Sequence, residues 1–254
     1  MMMEELLALD LKRRGYRFDK GPLGYTIYIR DNPKIWVWPM FESDYISAKE
    51  IGDMLRRSIR LKRDLLIGVL DKESDVTYYK AGCILDDEGV GDGDDKEKES
   101  IPGDLRGEMV VVELRNLGRG ARKMLEEGWF GRDADGVLYL EPLEAVYLVK
   151  RGALKSEIPK YERSHYIVYE DLRGRGFIPK AGFKYGAHFR VYDGQDNAHS
   201  RYLFHVVRED ERWSWFSFSA LIRLSHSVRK EMVFASVNTD KEKINYVRIE
   251  RVKI

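Results

Sequence analysis

Apolar positions along the 254-residue chain fall into short runs that alternate between a period near two and a period near 3.6. Residues 10–14 read as a helix that Gly15 ends, and residues 25–30 and 35–38 alternate as strands do. Ser47, with Glu50 three residues on, forms a capping box that opens a helix whose Ile51, Leu55 and Ile59 share one face. Residues 65–70 and 76–79 then predict a β pair around the acidic turn 71–75. Further on, strands are expected at 108–114 and 137–140, and helices at 121–127 and at 142–151, where Gly152 closes the second. The last part predicts helices at 166–175 and 219–229, the latter with Leu221, Leu224 and Val228 on one face. It also predicts strands at 188–192, 202–207, 232–237 and 244–249.

This order repeats. Asp10-Leu-Lys-Arg-Arg-Gly-Tyr16 matches Asp171-Leu-Arg-Gly-Arg-Gly-Phe177. With one gap, the run from Ile27 to Asp31 matches that from Phe189 to Asp193, which sets Arg30 against Tyr192. The run from Leu61 to Asp71 matches that from Val228 to Asn238, which sets Arg63 against Lys230. The expected architecture is therefore α/β (α+β): a duplicated unit with a mixed β-sheet flanked by helices, and a small α+β domain between the copies. Between the first copy and the small domain lies LDDEGVGDGDDKEKES, with eight acids against two bases and no apolar period, which reads as a solvated linker. The boundaries that follow are 1–84 for the first repeat, 85–104 for the linker, 105–158 for the small domain and 159–254 for the second repeat.

Composition changes this picture in one respect. The whole chain carries 44 Lys+Arg and 43 Asp+Glu, a net charge of +1, which advertises no polyanion partner. From residue 160 onward, however, 18 Lys+Arg stand against 12 Asp+Glu, a net +6, and the preceding residues hold the balancing −5. Basic residues are interleaved with aromatics around Arg190, Arg201, Arg223, Arg229 and Arg251, the footprint expected for a nucleic acid backbone with bases that can stack. A single Cys, Cys83, excludes an intrachain disulfide framework and a thiolate metal cluster. The absence of an apolar leader and of any 18-residue apolar window predicts a cytoplasmic protein without a membrane span.

All five His (His165, His188, His199, His205 and His226) follow residue 160, so only the second copy keeps side chains that titrate near neutrality. Tyr192, His199 and Lys230 come from a strand end, the loop after it and a helix end. Hydrolytic or transfer chemistry at a phosphodiester needs a base for the attacking hydroxyl, an acid for the leaving oxygen and a cation for the developing charge. Such a trio alone is weakly specific, since each member also has an ordinary structural reading. Metal chemistry lacks its usual spacings: there is no His-x-x-x-His or His-Glu-x-x-His, and no metal or cofactor is expected. The Gly89-x-Gly91-x-Gly93 run sits among carboxylates, which repel phosphate.

Four stretches taken together are specific. Tyr169-Glu-Asp-Leu-Arg-Gly-Arg-Gly-Phe177, Lys180-Ala-Gly-Phe-Lys-Tyr-Gly-Ala-His-Phe-Arg-Val-Tyr192, His199-Ser-Arg-Tyr-Leu203 and Val228-Arg-Lys230 resemble the archaeal tRNA-splicing endonucleases. The helix around Leu140-Glu-Pro-Leu-Glu-Ala-Val-Tyr-Leu148 is similar to that family's small N-terminal domain. The resemblance implies metal-independent cleavage of pre-tRNA at bulge–helix–bulge motifs. The ribose 2′-OH would attack the adjacent phosphate and leave 2′,3′-cyclic phosphate and 5′-OH ends. It places the general base on Tyr192, the general acid on His199 and transition-state stabilisation on Lys230. The Arg pair that grips a bulge base falls on Arg223 and Arg251, and Arg223, two turns before Lys230, is expected to share its helix and groove. The layout is similar to tandem-repeat members, which pair as homodimers through an acidic docking loop, here Asp71, Glu73 and Asp75. The departure is that no small domain precedes the first repeat. The alternatives are a catalytically inactive RNA-binding subunit of such an enzyme and a metal-dependent DNA nuclease on a related core.

Overall fold

The computed structural model describes residues 2–82, 100–194 and 199–254. The first repeat consists of α1 (Met2–Arg13), β1 (Arg17–Gly21), β2 (Gly24–Ile29), β3 (Asn32–Phe41), β4 (Tyr45–Ser47), α2 (Ala48–Arg60), β5 (Asp64–Leu70) and β6 (Val76–Gly82). A small unit follows, with β7 (Ile101–Pro102), β8 (Asp104–Arg106), β9 (Met109–Glu113), α3 (Arg119–Glu127), β10 (Arg132–Ala134), β11 (Val137–Leu140), α4 (Pro142–Lys150) and β12 (Leu154–Lys155). The second repeat is α5 (Arg163–Gly174), β13 (Ile178–Ala181), β14 (Phe189–Tyr192), β15 (Tyr202–Arg208), β16 (Arg212–Ser214), α6 (Trp215–Ser227), β17 (Glu231–Asn238) and β18 (Lys243–Val252). Because β7 pairs with β12 in parallel, Ile101 to Asp104 belong to the small unit, although the sequence assigns them to the linker. Most of that acidic stretch lies outside the described residues. Among the described residues no helix is long and apolar enough to cross a membrane.

Ten strands form one mixed sheet in the order β1-β2-β3-β5-β6-β18-β17-β15-β14-β13, so the two repeats contribute five each and meet where β6 pairs antiparallel with β18. Leu65 pairs with Ala81, and its counterpart Met232 pairs with Ile249. Ala81 and Ile249 therefore hold equivalent places, and they face each other across the seam. The same holds in the two-stranded ribbon of β4 and β16, where Ile46 faces Trp213. Two self-equivalent pairs mark a local two-fold axis inside one chain.

The core is arranged about that axis. Side chains alternate between the faces of each strand, so each face collects its own helices. On one face, Ile51 and Leu55 of α2 and Trp215, Phe218 and Ile222 of α6 share a cluster with Met232, Phe234, Val247 and Ile249. On the other face, α5 and α4 cover Val191, Phe204 and Val233 in one cluster, and α1 covers Ile27, Val37 and Leu66 in another. The capping box of α2 is present, with Ser47 and Glu50 exchanging both bonds. Ile59, predicted on the buried face, is 55% exposed, and the small Ser58 takes the inward place. In α6 the buried residues are Trp215, Phe218, Ser219, Ile222 and Ser225; the helix starts four residues before the predicted position and Leu224 points outward. Gly15 and Gly176 end α1 and α5 with φ of 81° and 84°, a conformation that glycine adopts without a Cβ clash.

The small unit is fastened to the second repeat by buried charge. Glu144 of α4, whose side chain is 1% exposed, pairs with Lys180 of β13 and accepts the backbone N–H groups of Gly131 and Glu141 at 3.0 Å each. Arg173 of α5, itself buried, donates to the Gly128 carbonyl at 2.7 Å and lies 4.2 Å from the centre of the Phe130 ring. Removing one partner of a buried ion pair leaves an uncompensated charge, which costs about 3–5 kcal/mol. Lys180→Met is therefore expected to lower the unfolding free energy by roughly that amount in urea titrations. A Glu144→Gln/Lys180→Met double variant should recover part of the loss.

Candidate active site and nucleic-acid cleft

Three strand ends of the second repeat lie side by side. Tyr192 is the last residue of β14, β15 begins at Tyr202 and β17 begins at Glu231. Val191 accepts a hydrogen bond from the Arg201 N–H at 3.1 Å, and Arg201 in turn accepts one from the Glu231 N–H at 3.1 Å. The backbones of Tyr192, Arg201 and Lys230 thus stand abreast at neighbouring strand ends, each about 5 Å from the next. His199 is exposed and precedes Arg201 by two residues; residues 195–198 between it and Tyr192 lie outside the described part.

Each member has a local reason for its place. Tyr192 is buried, 9% exposed, with its ring 5.5 Å from that of Trp129 in an edge-to-face contact. Lys230 follows a reversal: α6 ends at Ser227, Arg229 takes a φ of 56°, and the Lys230 N–H returns to the Ser225 carbonyl at 2.9 Å. Its ammonium donates to the carbonyl of Ser200, next to His199, and lies 5.5 Å from the centre of the Tyr185 ring. A phenol, an exposed imidazole and an ammonium thus share one end of the sheet, which is a set able to take up a proton, supply one and hold negative charge.

Arg201, counted among the RNA-facing bases in the sequence, has a different position. It pairs with Glu231 at 3.1 Å and with Asp193 at 3.8 Å, and Glu231 also pairs with Arg248 at 2.8 Å. This network staples both ends of the loop that carries His199.

Arg223 and Arg251 do come together, but elsewhere. They line an open cleft of about 500 Å³ at the seam between the repeats, with Arg14, His226 and Lys253 on its wall and Tyr78 beside them. None of Tyr192, His199 and Lys230 lines it. The expectation that Arg223 and Lys230 share a helix and a groove is therefore corrected: the turn at Arg229 takes Lys230 off the helix. Arg14, His226 and Lys253 were missed in the sequence, because their cleft joins residues more than 200 positions apart. Arg14 is paired with Asp10 at 2.7 Å and lies 5.2 Å from the centre of the Tyr78 ring.

The acidic turn 71–75 divides its carboxylates. Asp71 accepts the N–H groups of Glu73 and Asp75 at 2.9 Å each and so builds the turn, while Glu73 and Asp75 are exposed.

The first repeat has a different remnant of the site from the one its sequence suggests. Arg17 pairs with Tyr28 as Ile178 pairs with Tyr192, so Tyr28, not Arg30, is the counterpart of Tyr192. Arg30 and Asp31, with φ of 48° and 63°, form the tight turn of the β2–β3 hairpin. The one-gap alignment slipped because the stretch from Arg17 to Tyr28 is three residues shorter than that from Ile178 to Tyr192, the connection between the paired strands being tighter in the first copy. Asp19 accepts the Tyr28 hydroxyl at 2.7 Å and holds it above the ordinary phenol range, with Arg63 and Arg17 pulling the other way. The tight hairpin leaves no loop where His199 stands in the other copy.

Three of the five histidines serve packing. The rings of His165 and His188, and of His188 and His205, lie 4.3 Å apart. The Val206 N–H donates to Nδ1 of His188 at 2.9 Å, so that nitrogen carries no proton. Burial and the neighbouring imidazoles push His188 down to about 3, and burial pushes His205 down to about 4. The concentration of histidine in the second copy thus has a packing origin for three of the five residues.

Residues 163–246 match the family model described as tRNA intron endonuclease, catalytic C-terminal domain, and residues 101–165 match its N-terminal domain. The tRNA-splicing endonuclease of Thermococcus kodakarensis is 39% identical over 166 residues, covering 59% of this chain and 96% of that protein. Those of Methanococcoides burtonii and Methanosarcina mazei are 27% and 28% identical over 284 aligned positions, covering 99% of this chain and 78% of each relative. Fold and matches together define an endoribonuclease. The chain belongs to the tRNA-splicing endonuclease family.

The histidine stack generates a pH dependence. Native His188 and His205 stay neutral well below the ordinary imidazole value, whereas the unfolded chain takes up protons near pH 6.5. Their contribution is present above that pH and is lost as the pH falls toward the native values. Between pH 7 and pH 5 the unfolding free energy should drop by up to about 2 kcal/mol for each of the two. Urea titrations at pH 7, 6 and 5 check this, and His205→Phe should flatten the slope.

Proposed function

We propose that the chain cuts intron-containing precursor tRNA at bulge–helix–bulge motifs without a metal cofactor. The observation that supports this most is the placement of Tyr192, His199 and Lys230 at one end of the sheet, on the elements that match the catalytic domain. Tyr192 takes the proton of the ribose 2′-OH. The freed oxygen forms a bond to the adjacent phosphorus, and the bond from phosphorus to O5′ breaks. His199 donates the proton that O5′ needs, and Lys230 stabilises the added negative charge on the phosphoryl oxygens. The products are a 2′,3′-cyclic phosphate and a 5′-OH. Arg223 and Arg251 grip an unstacked bulge base with their planar guanidinium groups in the seam cleft, and Lys253 adds positive charge there.

A homodimer suits a substrate with two bulges. The exposed Glu73 and Asp75 are the outward charges of the proposed docking turn, and Asp71 shapes it.

Cleavage of a bulge–helix–bulge RNA in excess EDTA, with the ends mapped, tests the activity. Wild type should cut and leave the two end types named. Tyr192→Phe, His199→Ala and Lys230→Ala should each lower the single-turnover rate by about 10²–10⁴-fold. RNA binding without any cleavage by wild type would instead mark an inactive binding subunit. A Glu73→Lys/Asp75→Lys variant should shift the sedimentation profile from dimer to monomer with the fold intact, and an unchanged dimer would remove the docking role.

A further inference from the structure

Trp129 lies at the junction of the small unit and the second repeat, and nothing in the sequence motifs draws attention to it. It follows α3 with a φ of 51°, a backbone conformation that a bulky side chain rarely takes. The turn that imposes this is pinned from three sides. Its Phe130 N–H returns to the Leu125 carbonyl at 2.9 Å. Arg173 of the second repeat holds the Gly128 carbonyl at 2.7 Å. Glu144 accepts the Gly131 N–H at 3.0 Å and is itself paired with Lys180. Lys180 in turn pairs by register with Arg190, two residues before Tyr192 on β14. A buried polar network thus links the turn to the strand that ends in Tyr192, and it presents the indole to the phenol ring at 5.5 Å and an interplanar angle of 62°.

The first repeat supplies an internal comparison. Among the described residues no small unit packs on Tyr28, the counterpart of Tyr192; its hydroxyl is bonded to Asp19, and its ring lies 5.3 Å from the Arg17 guanidinium as that of Tyr192 lies 5.9 Å from Arg190. The tyrosine covered by Trp129 is 9% exposed. In the tight-hairpin copy the phenol is tied up by a carboxylate; in the other, an aromatic edge contact fixes the ring and leaves its hydroxyl unclaimed by that contact.

We propose that Trp129 is a positioning residue for RNA cleavage: the small unit holds its indole against Tyr192 and so fixes the phenol ring in line with the reacting 2′-OH. This rests on the reading of Tyr192 as the base. A small misplacement of a reacting group can cost about 10²-fold in rate without loss of binding.

The test uses the full-length protein, a bulge–helix–bulge RNA and enzyme in excess. Trp129→Leu should lower the single-turnover rate by about 10–100-fold, keep the RNA Kd within about twofold and change the pH–rate profile, whereas Trp129→Phe should restore most of the rate. A Trp129→Leu protein that cuts at the wild-type rate with the wild-type profile, while Tyr192→Phe is inactive, overturns the positioning role and leaves the assignment of the base intact. A Tyr192→Phe protein that cuts normally removes the assignment itself, and the positioning role with it. If Trp129→Leu does not fold, 3-fluorotyrosine placed at position 192 decides. Its ¹⁹F resonance should move on Trp129→Phe, and an unmoved resonance overturns the contact.

Discussion

The antiparallel contact between β6 and β18 is the constraint on which the rest of the molecule depends. Ala81 and Ile249 meet there at equivalent positions, and every other strand of the large sheet is counted outward from them. The cluster beneath the seam contains α2 and α6 together with strands of both repeats, so neither repeat has a complete core alone. Burying apolar surface at this junction supplies the main attraction, and the register supplies the geometry. The cleft that collects Arg14, Arg223 and Arg251 exists only because the seam joins the two halves.

From the seam outward, position decides which charges are available to a polyanion. Arg201 and Arg248 converge on Glu231 and stabilise a loop. Arg173 and Lys180 are consumed in attaching the small unit. The basic excess of the second half is thus divided between structure and cleft, and only geometry separates the two uses. The same division runs through the histidines: three stack on one another half-buried, one lines the cleft and one stands at the strand ends.

Much of this was legible in the sequence where local rules govern. The capping box at Ser47 and Glu50, the glycines that end α1 and α5, and the paired strands around residues 71–75 follow from short-range chemistry that tertiary packing had no reason to overrule. The duplication was visible because both copies keep the same order of elements, and Tyr192, His199 and Lys230 were singled out through resemblance more than through their own spacing. What escaped was of longer range. The shorter connection between β1 and β2 shifts the alignment and conceals Tyr28 behind Arg30. The reversal at Arg229 separates Lys230 from Arg223 although seven residues fit two helical turns. Ser58 displaces Ile59 from the core because the helix packs against a partner whose shape the sequence of α2 does not contain. The cleft and the Trp129 contact each join residues from separate units, and no pattern within a segment encodes such a meeting.

The facing pair at the axis has a consequence for how such a chain can change. Two identical subunits meeting on a two-fold must place the same residue opposite itself, so a void filled on one side is a clash or a second filling on the other. Here a small side chain, Ala81, sits opposite a large one, Ile249, and Ile46 sits opposite Trp213. That small-against-large fit is open only to halves joined in one polypeptide, where the two sides are encoded separately and the tether keeps them together at any dilution. Once the seam itself is unequal, the halves are free to drift apart in their other duties, and one hairpin can shorten to a two-residue turn while its twin keeps a loop with a histidine.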